Sequence, residues 1–429
     1  MKKKVAVFPA GSEIGLEINN ALKYSTYFEV YGLSSVPSHG SFVYEHYIEG
    51  VPFYTEDTFV QELNRIIDDN GIEFVYPAYD DVQLYLTQIQ DQIHAKIVTS
   101  EWETVKICRS KQTTYQYFFD CWFVPAYYSD ADDVDKYPVF VKPDVGQGSQ
   151  GALRIRSREE LDFALKEDPG RIICEYLSGD EYTVDCLTDA RGKLRVCRMR
   201  NRKRIRNGIS VSSERLPVPQ KIYEVAEQVN CRLHFCGAWF FQVKCNDKGE
   251  FRLLEIAPRI AGTMGLNRNT GINYPLLTLF CQMGSEIDII ENQFGIQVDR
   301  ALSSHYFIDY EYNTVYVDLD DTLIVNGKVN TVLIEYLYQT VNKGMKRVLL
   351  TKHAHNVKET LQEHKIAKEL FDDIIHIRQD EEKCAYICEK AAVFIDDSFS
   401  ERKKVADHCG IPVFDCSEVE ALLDCRIQN

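Results

Sequence analysis

Val315-Tyr316-Val317-Asp318-Leu319-Asp320-Asp321-Thr322-Leu323 runs three apolar, β-favouring residues into two carboxylates spaced two apart. Doubly wound sheets bind ligands outside the carboxyl ends of their strands, so Asp318 and Asp320 are expected at such an edge, placed to act on one phosphorus centre. Two further buried-strand patterns follow. Val348-Leu349-Leu350 ends in the hydroxyl of Thr351, and Ala392-Val393-Phe394-Ile395 ends in Asp396-Asp397. Between them Lys383 follows an acidic stretch and offers a point charge to phosphate oxygens. Phosphoryl transfer to a carboxylate needs this set: a nucleophile, a second carboxyl to protonate the leaving oxygen, and a metal to cancel the repulsion between anions. Continuous apolar strands alternating with helix patterns predict a parallel sheet from about residue 313 onward.

An apolar strand, D-x-D-x-T, a strand-ending Thr, a Lys and a strand-ending acidic pair, in that order, resemble the haloacid dehalogenase superfamily over residues 315–429. The resemblance implies a small Rossmann-like phosphatase domain. In it Asp318 is the nucleophile, Asp320 the acid/base, and Thr351 and Lys383 phosphoryl binders. Asp396 and Asp397 join Asp318 and Asp320 on the Mg2+ side. The short spacings from Thr322 to Thr351 and from Thr351 to Lys383 leave no room for a cap domain, so an uncapped site is expected. Water exclusion then falls to a large substrate or to a neighbouring domain.

Upstream, residues 1 to about 105 alternate strand and helix patterns. Val5-Ala6-Val7-Phe8 leads through a glycine turn at Gly11 to Gly15 into a helical stretch from Glu13 to Lys23; Phe28 to Tyr31 and Glu73 to Pro77 read as strands, and Phe59 to Asp68 as a helix. This predicts βαβ units on a parallel sheet. Residues 106–308 differ. After a helix-like Lys111 to Phe119 come two hairpin signals, Tyr182 to Leu187 against Leu194 to Cys197, and Trp239 to Cys245 against Phe251 to Ile256. The expectation is an α/β and α+β multidomain chain, with an α/β unit over 1–105, a mostly antiparallel domain over 106–308 and the parallel domain over 313–429.

The middle region carries its own phosphate chemistry. Pro138-Val139-Phe140-Val141-Lys142-Pro143-Asp144-Val145-Gly146-Gln147-Gly148-Ser149-Gln150-Gly151 joins a strand, a lysine and a glycine-rich loop whose backbone N–H groups suit phosphates. Ile172 to Leu177 is an apolar strand ending in Glu175 and main-chain groups able to read an adenine edge, with Glu181 just beyond. The strands through Gln242 and through Leu253-Leu254-Glu255-Ile256-Ala257-Pro258-Arg259 set Gln242 beside Glu255 for magnesium, and Arg259 nearby for phosphate. Together, residues 1 to about 308 resemble the ATP-grasp enzymes of the carbamoyl-phosphate-synthetase-like and biotin-carboxylase-like branch. The resemblance implies that Lys111 and Lys142 contact ATP phosphates and that Gly146, Gly148, Ser149 and Gly151 belong to a lid loop. Glu175 and Leu177 would hold adenine, Glu181 the ribose, and Gln242 and Glu255 the Mg2+. Ala257 departs from the family, which usually has Asn there helping to hold a second magnesium. Either Asn267 or Asn269 substitutes, or one metal is bound more weakly.

Arg198, Arg200, Arg202, Arg204 and Arg206 recur with period two, so one strand would put all five on one face. The run is therefore expected to bind an anion, an acidic substrate held by Arg202, Arg204 and Arg206 or the ATP γ-phosphate, with a solvated face paired to surface acids as the alternative. A net charge of -16, from 65 acidic and 49 basic residues, argues against nucleic acid, as does the absence of interleaved aromatics in that run. No apolar stretch is long enough for a membrane span, and 14 cysteines without a C-x-x-C pair suit a reducing compartment, so a cytoplasmic protein is expected. The function expected is bifunctional. One half ligates a small anionic carboxylate to an amine acceptor through an acyl phosphate, using ATP and Mg2+; the other dephosphorylates a phosphorylated substrate of the same route. An ATP-grasp kinase with a trimming phosphatase, and a nucleic-acid end-processing protein, are the alternatives.

Overall fold

The β-rich runs at the start of the chain pair as a parallel sheet in the order His46–Glu49, Phe28–Ser34, Lys3–Phe8, Phe74–Pro77, Lys96–Ile97. The computed structural model describes residues 2–146, 150–206, 208–292, 294–303, 306, 308, 310–424 and 426. These fall into two compact units, Met1–Leu302 and Ser303–Asn429. No helix among the described residues is long and apolar enough to cross a membrane.

In the first unit Val5 to Phe8 are buried without alternation, as a central parallel strand covered on both faces requires. At its end Ser12 caps the helix Glu13–Leu22 by accepting the Gly15 N–H at 2.9 Å. A Cβ on Gly15 would lie 2.6 Å from the Ala10 carbonyl oxygen, so only glycine lets the helix start this close to the strand end. The helix Phe59–Asn70 buries Phe59, Leu63, Ile66 and Ile67 on one stripe and stops at left-handed Gly71.

Two antiparallel sheets complete the unit. The smaller orders Tyr127–Tyr128, Arg171–Glu175, Val139–Pro143 and Leu153–Ile155. The larger orders Arg204–Arg206, Ile209–Leu216, Leu194–Asn201, Glu181–Thr188, Gly237–Cys245 and Phe251–Ala257, with Gln297–Asp299 added beside Ile209–Leu216. Both expected hairpins are present, with Cys186 opposite Cys197 and Phe241 opposite Ile256. The five arginines do not share a strand. The first strand ends at Asn201, whose side chain caps the Glu214 N–H at 2.8 Å; the chain bends through Arg202 and Lys203, and Arg204 and Arg206 belong to a separate short strand. Period two in sequence maps to one face only while the strand is unbroken.

The second unit is a five-stranded sheet ordered Asp373–His376, Lys346–Thr351, Thr314–Val317, Ala392–Ile395, Val413–Phe414, every neighbour parallel. The strand preceding Asp318 is central, flanked by those ending in Thr351 and Ile395, so three functional carboxyl ends adjoin. Past Asp318 the chain turns sharply, with Asp321 at φ 52, into a minimal hairpin, Ile324–Val325 with Lys328–Val329, and the helix Thr331–Asn342. Nothing larger is inserted there.

Candidate active sites

In the first unit the strands Val139–Pro143, Arg171–Glu175 and Phe251–Ala257 converge on a cavity of about 150 Å³ lined by Lys111, Tyr115, Phe140, Lys142, Gly146, Glu175, Leu177, Glu181, Arg202, Gln242 and Glu255, among others. A larger cleft of about 410 Å³ adjoins it, sharing Lys111, Arg202, Gln242 and Glu255 and adding Glu13, Asp80, Arg109, Arg200, Arg259, Thr263 and Arg300. Residues far apart in sequence thus form two connected chambers whose common wall carries both lysine and carboxylate.

Lys142 is buried; its Nζ donates to the Tyr115 hydroxyl at 2.8 Å and lies 3.3 Å from the Leu254 carbonyl, while the Tyr115 hydroxyl donates to that same carbonyl at 2.9 Å. Burial lowers the Lys142 pKa from the usual lysine value, and burial does the same to Lys111, whose Nζ donates to the Asp144 carbonyl at 3.0 Å. Two ammonium groups held away from water gain much from an arriving anion. Tyr115 was not singled out in the sequence, although it sits four residues after Lys111 on the same helical face.

Gln242 and Glu255 are register partners on adjacent antiparallel strands. Among the described residues neither side chain has a hydrogen-bond partner, which leaves an amide oxygen and a carboxylate facing the cavities. The remaining acids are engaged. Glu175 accepts from the Ala126 N–H at 2.9 Å, with the Arg252 Nε 3.5 Å away; Glu181 lies 2.9 Å from the Arg202 Nε. Arg259 forms a bidentate pair with Asp80 at 2.6 and 2.7 Å and stacks over Phe240. Asp80 thus fixes Arg259, a partnership the sequence does not signal beyond Asp80 lying just after a strand end. Glu13 pairs with Arg300 at 2.8 Å.

Of the expected cofactor residues Lys111, Lys142, Gly146, Glu175, Leu177 and Glu181 line the smaller cavity. Gly148 and Ser149 lie outside the described residues; Gly151 is described, at φ +71, but is not on the cavity wall. Of the arginines expected to bind substrate only Arg202 reaches the cavities. Arg204 is exposed and pairs with Asp299 at 2.9 Å, and Arg206 is exposed. Arg198 is bound to Glu291 at 2.9 Å, and Arg200 is buried against Asp185 at 2.8 Å with Asn267 donating to the same carboxylate at 3.0 Å. Asn267 donates through its amide nitrogen and keeps a buried Oδ1 without a partner among the described residues, Asn269 donates to the Gly265 carbonyl, and neither lines a chamber in which Ala257 leaves a ligand missing.

The second unit gathers carboxylates. Asp318, Asp396 and Asp397 each offer an oxygen within 4.8 Å of the others, the only such group of three His, Cys, Asp or Glu side chains among the described residues. Lys383 Nζ bridges Asp318 at 2.7 Å and Asp396 at 2.6 Å. The Asp318 oxygen in this ion pair is buried and has no other partner among the described residues. Burial raises the Asp318 pKa to about 6 against the pull of Lys383, with Asp396 adding to the rise; burial raises Asp396 too. Three clustered carboxylates, two of them buried, fit a Mg2+ ion. Thr351 is fully buried and its hydroxyl accepts the His353 N–H at 3.2 Å. Asp320 is not part of the metal group. Its carboxylate turns outward to His353 Nδ1 at 2.9 Å, and His353 Nε2 meets the Thr360 hydroxyl at 2.8 Å. His353 escaped the sequence reading, its one signal being its place two residues past the strand-ending Thr351.

Residues 167–302 match the family described as "ATP-grasp in the biosynthetic pathway with Ter operon". None of the curated proteins matches the chain. Among solved structures, biotin carboxylase from Campylobacter jejuni superposes with a TM-score of 0.57 at 13% identity, over 68% of this chain and 74% of that one. N5-carboxyaminoimidazole synthetase from Staphylococcus aureus, complexed with ADP, gives 0.55 at 16% identity, over 68% and 81%. L-amino acid ligase from Bacillus licheniformis gives 0.53 at 15%, over 68% and 75%. The chain carries an ATP-grasp domain of mixed α/β fold, and at these identities the structural likeness speaks to fold alone.

Proposed function

We propose that the first unit is an ATP- and Mg2+-dependent carboxylate–amine ligase, and that the second is a Mg2+-dependent phosphatase working through Asp318. The observation that carries the ligase reading is the shared wall of the two chambers, where Lys111, Gln242 and Glu255 face both. The smaller chamber suits a nucleotide, with Lys142 and Lys111 against its phosphates. The larger, with Arg109, Arg200, Arg259 and Arg300 on its walls, suits a small anionic carboxylate. Mg2+ held by Glu255 and Gln242 would neutralise charge on the transferring phosphoryl group. A carboxylate oxygen of the substrate attacks the γ-phosphorus, the bond to the bridging oxygen breaks and ADP leaves. The amine nitrogen then attacks the acyl carbon, phosphate departs and the nitrogen loses a proton. The neighbours named above as carboxylase, synthetase and ligase agree with that class.

In the second unit, Mg2+ on Asp318, Asp396 and Asp397 would screen the phosphate from the attacking carboxylate. An Asp318 oxygen attacks phosphorus while Asp320 gives its proton to the leaving oxygen; water then cleaves the aspartyl phosphate, returning a proton to Asp320. Lys383 and the Thr351 hydroxyl hold phosphoryl oxygens. The test is ADP release, with product analysis, across amino acids, dicarboxylates and sugar acids paired with amines, alongside hydrolysis of an aryl phosphate. An amide product supports the ligase. A stable phosphorylated product in its place, or no ADP with any pair, defeats it, and absence of Mg2+-dependent hydrolysis defeats the phosphatase.

A further inference from the structure

Among the described residues that line the two chambers, Glu255 is the one acid without a hydrogen bond or ion pair. Of the other carboxylates lining the two chambers, Glu175 is held by the Ala126 N–H, Glu181 lies against Arg202, Glu13 against Arg300 and Asp80 against Arg259. Its register partner Gln242 brings only a neutral amide oxygen, the Ala257 side chain brings no ligand atom, and Asn267 lines neither chamber. A two-metal site holds its ions about 3.5–4 Å apart, and that closeness needs bridging and terminal anions from the protein to offset four positive charges. One carboxylate suffices for one Mg2+ that takes its remaining ligands from water and nucleotide phosphates.

A buried cation lines the same two chambers. Arg202 lines both chambers; its side chain is 7% exposed, its Nε is 2.9 Å from Glu181, and its Nη2 donates to the Gly208 carbonyl at 2.7 Å. These contacts fix the guanidinium and leave further N–H groups for phosphate oxygens. We infer that the first unit binds its nucleotide with a single divalent cation, and that Arg202 supplies, opposite the terminal phosphate, the positive charge a second ion would bring. The inference rests on the ATP reading above and goes beyond it to the metal count and to one residue.

Counting Mn2+ bound to the full chain by electron paramagnetic resonance, with and without a saturating non-hydrolysable ATP analogue, tests it, because ions in the second unit are common to both measurements. The analogue should add one Mn2+ per chain, and Glu255→Gln should remove that increment. Arg202→Met should weaken the analogue about tenfold but ADP less than threefold, and Arg202→Lys should recover part of the loss. An increment of two, or none with the analogue bound, overturns the single-ion inference while leaving nucleotide binding intact. Equal weakening of analogue and ADP overturns the role of Arg202. Failure of the wild-type chain to bind either nucleotide defeats the ATP reading itself, and the inference with it.

Discussion

Around the register pair of the first unit the protein supplies one uncommitted carboxylate, Glu255, and the cations Lys111, Lys142 and Arg202; around Asp318 in the second it supplies three carboxylates and one cation, Lys383. The difference follows from which partner brings the negative charge. A nucleotide would arrive with its own string of phosphates, and the chamber proposed for it holds buried Lys142 and half-buried Lys111, whose charged forms burial disfavours. A site that attacks phosphate with a carboxylate, as proposed for the second unit, supplies its own anions, and Lys383 holds two of them together. The same logic predicts how each site breaks.

The largest effect is expected at Asp318. Asp318→Asn keeps shape but removes the nucleophile, and hydrolysis of an aryl phosphate should fall by about 10⁴ or more, as removal of a covalent nucleophile does elsewhere. ADP formation by the first unit should be unchanged. Retained hydrolysis in this variant, measured with a normal melting curve, removes Asp318 from the mechanism. Next comes the opposite knock-out. Glu255→Ala, or Lys142→Ala, should lower ATP turnover by about 10²–10³, the scale of one lost electrostatic contact to a reacting group, with phosphatase activity intact. If each variant lost both activities, the two sites would not be independent and the comparison would fail.

A smaller effect separates the sites by pH. In the metal-free second unit the Asp318 carboxyl titrates at about 6 because burial disfavours its charge. Below that pH a metal must displace a proton, so Mg2+ affinity should fall about tenfold per unit as pH drops below 6 and level off above it. The raised value also means that the folded, metal-free unit holds a proton the unfolded chain releases near pH 4. Its contribution to stability is thus present at low pH and lost as pH rises towards 6. Calorimetric Mg2+ titration from pH 5 to 8 reads the first effect; a flat affinity would show that Asp318 is not a ligand.

The parallel strands and both hairpins were legible because apolar periodicity and turn residues are local signals; Val315-Tyr316-Val317 and Trp239 to Cys245 needed no tertiary knowledge. Asp318, Thr351, Lys383 and Asp396 were legible because each stands at or near a strand end or in a fixed order. What stayed hidden was pairing between distant residues. Nothing local says that Asp80 holds Arg259, that Tyr115 holds Lys142, or that His353 draws the Asp320 carboxylate outward from the metal group. The arginine run misled for the same reason: alternation is visible in sequence, but a bend after Asn201 and acids 15 to 95 residues away are not.

The smallest expected effect sharpens that last point. Arg204 lies on a separate short strand, its side chain 59% exposed and paired to Asp299, itself half exposed. An ion pair in that setting is screened by water and salt and contributes little, and neither residue lines the chambers where chemistry is placed. Arg204→Met keeps bulk and strand compatibility while deleting the charge. It should leave KM for the carboxylate, nucleotide affinity and the melting temperature nearly unchanged, with KM moving less than about twofold, the range of a neutral surface substitution. Arg202→Met, two residues earlier, should shift nucleotide affinity by the margin given above. Should Arg204→Met raise KM tenfold instead, the charge of the outer strand reaches the substrate after all, and the contrast drawn between a buried, chamber-facing arginine and its solvated neighbour collapses.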